Sequence, residues 1–156
     1  MGFALPAFLS EPRRPLRAIL LGWPMVSLPA LGLAALWAAL FPAAANPVFP
    51  GDPWTVFFAV VVFAPVVETL IMAAALELLL RLVPVGWAVA LSTLGWAVAH
   101  SLAAPVWGLV IWWPFLIFSL LYVAWRKRSI AGAIGIVAAV HALNNLVPAL
   151  LLLRSA

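Results

Sequence analysis

The sequence predicts an all-α fold: a multi-pass membrane bundle of about five transmembrane helices, N-terminus cytoplasmic and C-terminus outside. Three observations lead there. Hydrophobic residues make up 68% of the 156 and charged residues only 8%, whereas soluble domains carry roughly 45–50% and about 25%. Five apolar stretches come close to or exceed the roughly 20 residues that a bilayer-crossing helix needs. The basic residues gather at alternate ends of those stretches, which suits a membrane surface and argues against nucleic acid as a partner.

The stretches are Leu16–Phe41, Trp54–Val83, Gly86–Leu102, Pro105–Trp125 and Ser129–Leu153. Between them lie FPAAANPVFPGDP, VPVG, AAP and RKRS, all rich in turn-forming or charged residues. The chain thus divides into an N-terminal cytoplasmic segment (1–15), a first helix with its external loop (16–53), and a four-helix unit (54–153). The first stretch, followed by AAA at 43–45, has the outline of a signal peptide. Its apolar run is longer than the usual 7–15 residues, so a retained helix softened by Pro24 and Pro29 is expected.

Orientation follows from Lys and Arg. With the N-terminus inside, Arg13, Arg14, Arg17, Arg81, Arg126, Lys127 and Arg128 all fall on the cytoplasmic side, and only Arg154 falls outside. Trp54, Trp87, Trp107 and Trp125 lie near span ends, where an interfacial belt is expected. With no cysteine, disulfides, thiolate nucleophiles and Cys-based zinc sites are excluded.

Four ionisable side chains fall within the spans: Glu68, Glu77, His100 and His141. Such groups normally face a bundle interior or a wet cavity and mark function. Glu77 lies near a span end with Arg81 four residues on, the favourable order for a helix-surface ion pair. It also points away from Glu68, so the two carboxylates do not share a site. Glu68 is mid-span, three residues after Pro65, whose missing N–H opens the helix locally. His100 follows Trp96 by one turn. His141 shares a helix face with Asn145, and Asn144, offset from them, is expected to join helices.

Two His, a Glu and an Asn pair on three helices describe a polar chamber. A carboxylate kept from water is a good general base, imidazole orients or protonates, and carboxamide N–H groups stabilise an oxyanion. The same Glu68, His100 and His141 are also enough to hold Zn²⁺ through three protein ligands with a position open for water. Neither HExxH nor GxSG is present, and Gly51–Asp52, the one Gly-Asp, lies in a turn outside the spans.

APVVETLIM, WAVAH and HALNN, on three successive helices, resemble the CPBP intramembrane protease family. That group contains type II CAAX prenyl endopeptidases and bacteriocin-processing or abortive-infection proteins. The likeness spans about residues 60–150. It implies that Glu68 activates the attacking water with His100, that His141 and Asn145 stabilise the oxyanion, and that Trp96 and Thr69 border the substrate. The implied partners are a membrane-associated peptide or protein and the lipid bilayer, in a bacterial inner membrane. No cofactor is certain, with Zn the candidate. The family's first motif reads Glu-Glu-x-x-x-Arg, and this chain has Thr69 and Ala73 at its second and last positions. Loss of both halves of a charge pair strands no charge. The other reading is a catalytically silent binding, scaffold or immunity protein that uses the same chamber.

Overall fold

In lipid a backbone finds no water to bond, and a helix satisfies its N–H and C=O groups within its own segment. Each apolar stretch accordingly folds as a helix in a computed structural model, which describes residues 6–7, 13–44 and 47–155. The elements are α1 (Pro15–Leu40), α2 (Pro53–Phe58), a π-helical segment (Ala59–Phe63), α3 (Ala64–Leu82), α4 (Val85–Ala103), α5 (Gly108–Arg126) and α6 (Ile130–Ser155). From α2 through the π segment to α3 the chain runs as one span, Pro53–Leu82. With it, five spans of 26, 30, 19, 19 and 25 residues are long and apolar enough to cross a membrane.

Local chemistry sets the ends. Asp52 caps α2 by accepting from the Thr55 N–H at 2.8 Å and the Thr55 hydroxyl at 2.9 Å, and Pro53 occupies the first turn. The same two donors hold the Asp52 carboxyl below its ordinary pKa. Ser129 Oγ accepts from the Gly132 N–H at the start of α6.

Helix α5 is the axis. Over an apolar 18-residue stretch of its span 61% is buried, against 22–28% in the corresponding stretches of the other four. Phe115, Phe118, Leu121 and Tyr122 are sealed against Val26 of α1, Met72 and Leu76 of α3, and Val137 and Val140 of α6. Helices α1, α3, α4 and α6 pack on α5, and α6 also contacts both α1 and the second span. Among the described residues α1 makes no close approach to the second span or to α4, and this gap becomes a cavity.

At one end the bundle is stapled by charge. The Glu77 carboxylate receives Arg126 Nε at 2.5 Å, Arg126 Nη2 at 2.6 Å and the Tyr122 hydroxyl at 2.8 Å. Glu77 is a structural charge, but its partner is Arg126 rather than Arg81. A two-pronged guanidinium on the adjacent helix outcompetes a base one turn along the same helix. The tryptophans also divide. Trp54 and Trp87 are exposed at span ends as expected, whereas Trp125 is buried because it ends the central helix. Trp107 turns its ring inward onto His100.

The prolines of α1 show how a broken helix is mended. Pro29 has no N–H for the Met25 carbonyl, and Trp113 Nε1 of α5 donates to it instead, at 3.0 Å. Trp37 Nε1 similarly reaches the Leu109 carbonyl at 3.2 Å, so two indoles tie α1 to α5.

Gly108 marks a close approach of α5 to α4, because a Cβ there would overlap the Ala97 carbonyl oxygen and Ser101 Oγ of α4. Gly108→Ala is expected to lower stability by about 1–3 kcal/mol through overpacking, measured as an earlier thermal transition in detergent.

Candidate active site

The gap between α1 and the second span holds a partly open cavity of about 720 Å³. Glu68, His100, His141, Asn144, Asn145 and Ser27 contribute its polar lining, and Trp107, Phe115, Ala34 and Leu152 are among its apolar walls. The polar residues singled out in sequence on three helices therefore meet in one chamber.

Glu68 sits in α3 with its side chain 25% exposed, and the structure brings it to His141. Their Oε2 and Nε2 atoms are 3.8 Å apart, too far for a direct hydrogen bond and within reach of one bridging water. His141 is 4% exposed, its ring tilted over Phe118 at 4.6 Å. Its Nδ1 is buried with no hydrogen-bond partner. Nε2 is thus its one nitrogen with a polar neighbour.

His100 occupies a separate niche. Its Nδ1 lies 2.8 Å from the Trp96 carbonyl one turn earlier, which leaves Nε2 for the cavity. Trp107 meets the ring edge-on at 4.7 Å, and Phe115 lies at 5.5 Å. Phe115 is 5.6 Å from His141 as well, so one ring packs against both imidazoles.

Zinc fits this arrangement poorly. Among the described residues no three His, Asp or Glu side chains gather as a metal-holding group. Glu68 and His141 approach each other while His100 is held by Trp96. The three-ligand option for Glu68, His100 and His141 is not assembled here.

Two residues expected to border the substrate do not line the cavity. Thr69 is 1% exposed, because one position past Glu68 turns the side chain about 100° around the helix into the core. Its hydroxyl has no partner there. Trp96 stacks flat on Phe115, centroids 4.4 Å apart and planes at 12°, and so supports the wall from behind. Ala73, at the motif's arginine position, is 4% exposed in the same core as Thr69. A charge pair at these positions would be buried, and its joint loss leaves the core neutral.

Asn145 does something the sequence did not announce. The Ala64 N–H bonds back five residues to the Ala59 carbonyl, the π register. In that register the Val60 carbonyl should receive the N–H of Pro65, which has none. Asn145 Nδ2 donates to it instead, at 3.0 Å. The Asn145 Oδ1 accepts from Asn144 Nδ2 at 3.2 Å, and Asn144 Oδ1 accepts from Ser27 Oγ at 3.1 Å. A relay of three side chains thus joins α1, α6 and the opened turn before Glu68. Asn144 is the interhelical link expected of it.

Two outcomes follow. Asn145→Ala leaves the Val60 carbonyl unsatisfied and is expected to cost about 1–3 kcal/mol. Adding Pro65→Ala should recover most of that loss by restoring the missing N–H, and a double-mutant cycle on unfolding in detergent reads the coupling. Thr69→Val, which removes a buried orphan hydroxyl at constant shape, should be neutral or stabilising in the same assay.

Comparison with known proteins places this geometry. Residues 50–147 match the family model described as type II CAAX prenyl endopeptidase Rce1-like. No curated protein and no solved structure matches. The matched segment carries Glu68, His100, His141 and Asn145 together with about half of the cavity's lining, and α1 lies outside it. This is the protease group that the three motifs resemble, and with the match covering well over half of its length the chain belongs to the type II CAAX prenyl endopeptidase Rce1-like family.

Proposed function

We propose that this chain is an intramembrane endopeptidase that hydrolyses a peptide bond in a membrane-associated polypeptide. One observation carries the reading: a carboxylate and an imidazole 3.8 Å apart in a cavity of about 720 Å³, within a protease family.

The chemistry follows from what each group has free. A water bridging Glu68 Oε2 and His141 Nε2 is held by two polar atoms and loses a proton to Glu68 as its oxygen bonds the scissile carbonyl carbon. The carbonyl oxygen becomes an oxyanion. Asn145 gives one N–H to Val60, and its second N–H is left to donate to that oxyanion, whereas His100 donates from Nδ1 to the Trp96 carbonyl and so presents the bare Nε2 of a neutral imidazole, an acceptor for a water or a substrate N–H. Glu68 then passes its proton to the departing amine as the C–N bond breaks, so water is consumed and the base is regenerated. Phe115 and the two tryptophans limit water around the imidazoles, which strengthens each polar contact.

A silent binding protein of the same fold is the second reading. It is favoured by Thr69 and Ala73 standing where the family's motif carries charges, and by Asn145's commitment to the backbone of the second span.

The test is cleavage of a membrane-associated peptide library in liposomes. Glu68→Gln should lower the rate by about 10²–10⁴ if Glu68 is the general base, with folding unchanged because Glu68 makes no direct hydrogen bond. Addition of a chelator should leave the wild-type rate unaltered. A Glu68→Gln variant as active as wild type would remove Glu68 as the general base, and a well-folded wild type that cleaves nothing would transfer the assignment to the binding protein.

A further inference from the structure

The cavity reaches from the middle of the bundle to one end of it. The lining residues run from Ser27, Glu68 and His141, in the middle of their spans, to Phe41, Phe49, Trp107 and Leu152 at the end carrying the 41–53 connection. Phe115 and His141, among the deepest, each stand eleven residues from the opposite span end, at Arg126 and Ile130. At 1.5 Å per residue that is about 16 Å of helix with no cavity wall. This solid half is the one stapled by Glu77, Tyr122 and Arg126 and filled by Leu76, Leu121 and Val137.

The charges divide the same way. Arg13, Arg14, Arg17, Arg81, Arg126, Lys127 and Arg128 all stand at the solid end, and Arg154 alone of the Lys and Arg stands at the cavity end. A seven-to-one bias over short loops sets membrane orientation, because translocation of Lys and Arg is disfavoured. The two asymmetries are independent, one a matter of packing and the other of charge. Together they fix which side the cavity faces.

We propose that the chamber opens on the non-cytoplasmic face, and that its substrate is a polypeptide presented there, an exported or membrane-anchored chain rather than a cytosolic one. The substrate half of this inference rests on the peptidase reading; the access half does not. Chemistry at the mouth agrees. Asp52 and Arg154 are the charged side chains at that end among the described residues, and the walls are Ala, Leu, Phe, Pro and Trp. An uncharged, apolar stretch flanking the scissile bond fits such a wall, whereas acidic or basic flanks would lie unpaired against it.

The chain has no cysteine, so single cysteines report access without a background to remove. Val48→Cys lies on the exposed connection at the cavity end, Ala34→Cys on the cavity wall contributed by α1, and Val85→Cys at the exposed start of α4, at the basic end. A membrane-impermeant maleimide applied to intact cells should label Val48→Cys and Ala34→Cys. Val85→Cys should label only after permeabilisation or in inverted vesicles. Labelling of Val85→Cys in intact cells, or of Ala34→Cys from the cytoplasmic side alone, overturns the proposal. So does an Ala34→Cys that labels from neither side while Val48→Cys labels from outside.

The substrate half is read in vesicles of known orientation, with an apolar membrane-anchored peptide offered to one face at a time. Cleavage only from the face that labels Val48→Cys is expected, and cleavage only from the other face overturns it. Correct labelling with no cleavage from either face counts against the peptidase reading and leaves the access assignment standing, so the two failures are distinguishable.

Discussion

The structure depends throughout on one constraint: a backbone carbonyl in lipid must have a donor, and proline withdraws one. Two of this chain's openings are closed by side chains from other helices. Trp113 serves the Met25 carbonyl that Pro29 cannot reach, and Asn145 serves the Val60 carbonyl that Pro65 cannot reach. Each repair bonds two helices as it restores one. The second serves the only π-helical segment among the described residues, which ends five residues before Glu68. Packing between helices and the placement of the site therefore have a common cause.

That cause explains why the chamber is one-sided. Where the helices carry proline and small residues, α1 stays clear of the second span and space remains. Where they carry Leu, Tyr and Met, they close on α5, and Glu77 with Arg126 and Tyr122 ends the bundle. A bidentate ion pair near a span end keeps its charges close to the headgroup layer, where desolvation is mild. The same pair deeper in the core would be costly, and the core residues Thr69 and Ala73 carry no such pair.

The arrangement of the site also has a physical logic. Glu68 and His141 are both mid-span and meet, whereas His100, near the end of α4, is held by Trp96. Three candidate ligands at two depths form a chamber that can surround a peptide and do not converge on a single ion. Asn145 has a double duty, since one amide hydrogen repairs a helix and the other remains for the cavity.

Much of this was legible in the sequence. The five spans, the weakness at Pro65, the linking role of Asn144 and five of the chamber's six polar residues, all but Ser27, follow from hydropathy, proline chemistry and the rarity of charge in apolar runs. Those are properties each segment carries with it. The partners were decided by tertiary structure alone: Arg126 rather than Arg81 for Glu77, His141 as the neighbour of Glu68, a carbonyl 85 positions away for Asn145, and burial for Trp125 and Thr69. Local sequence fixes what a helix needs, whereas the rotation and depth at which another helix supplies it are set only when both pack on α5.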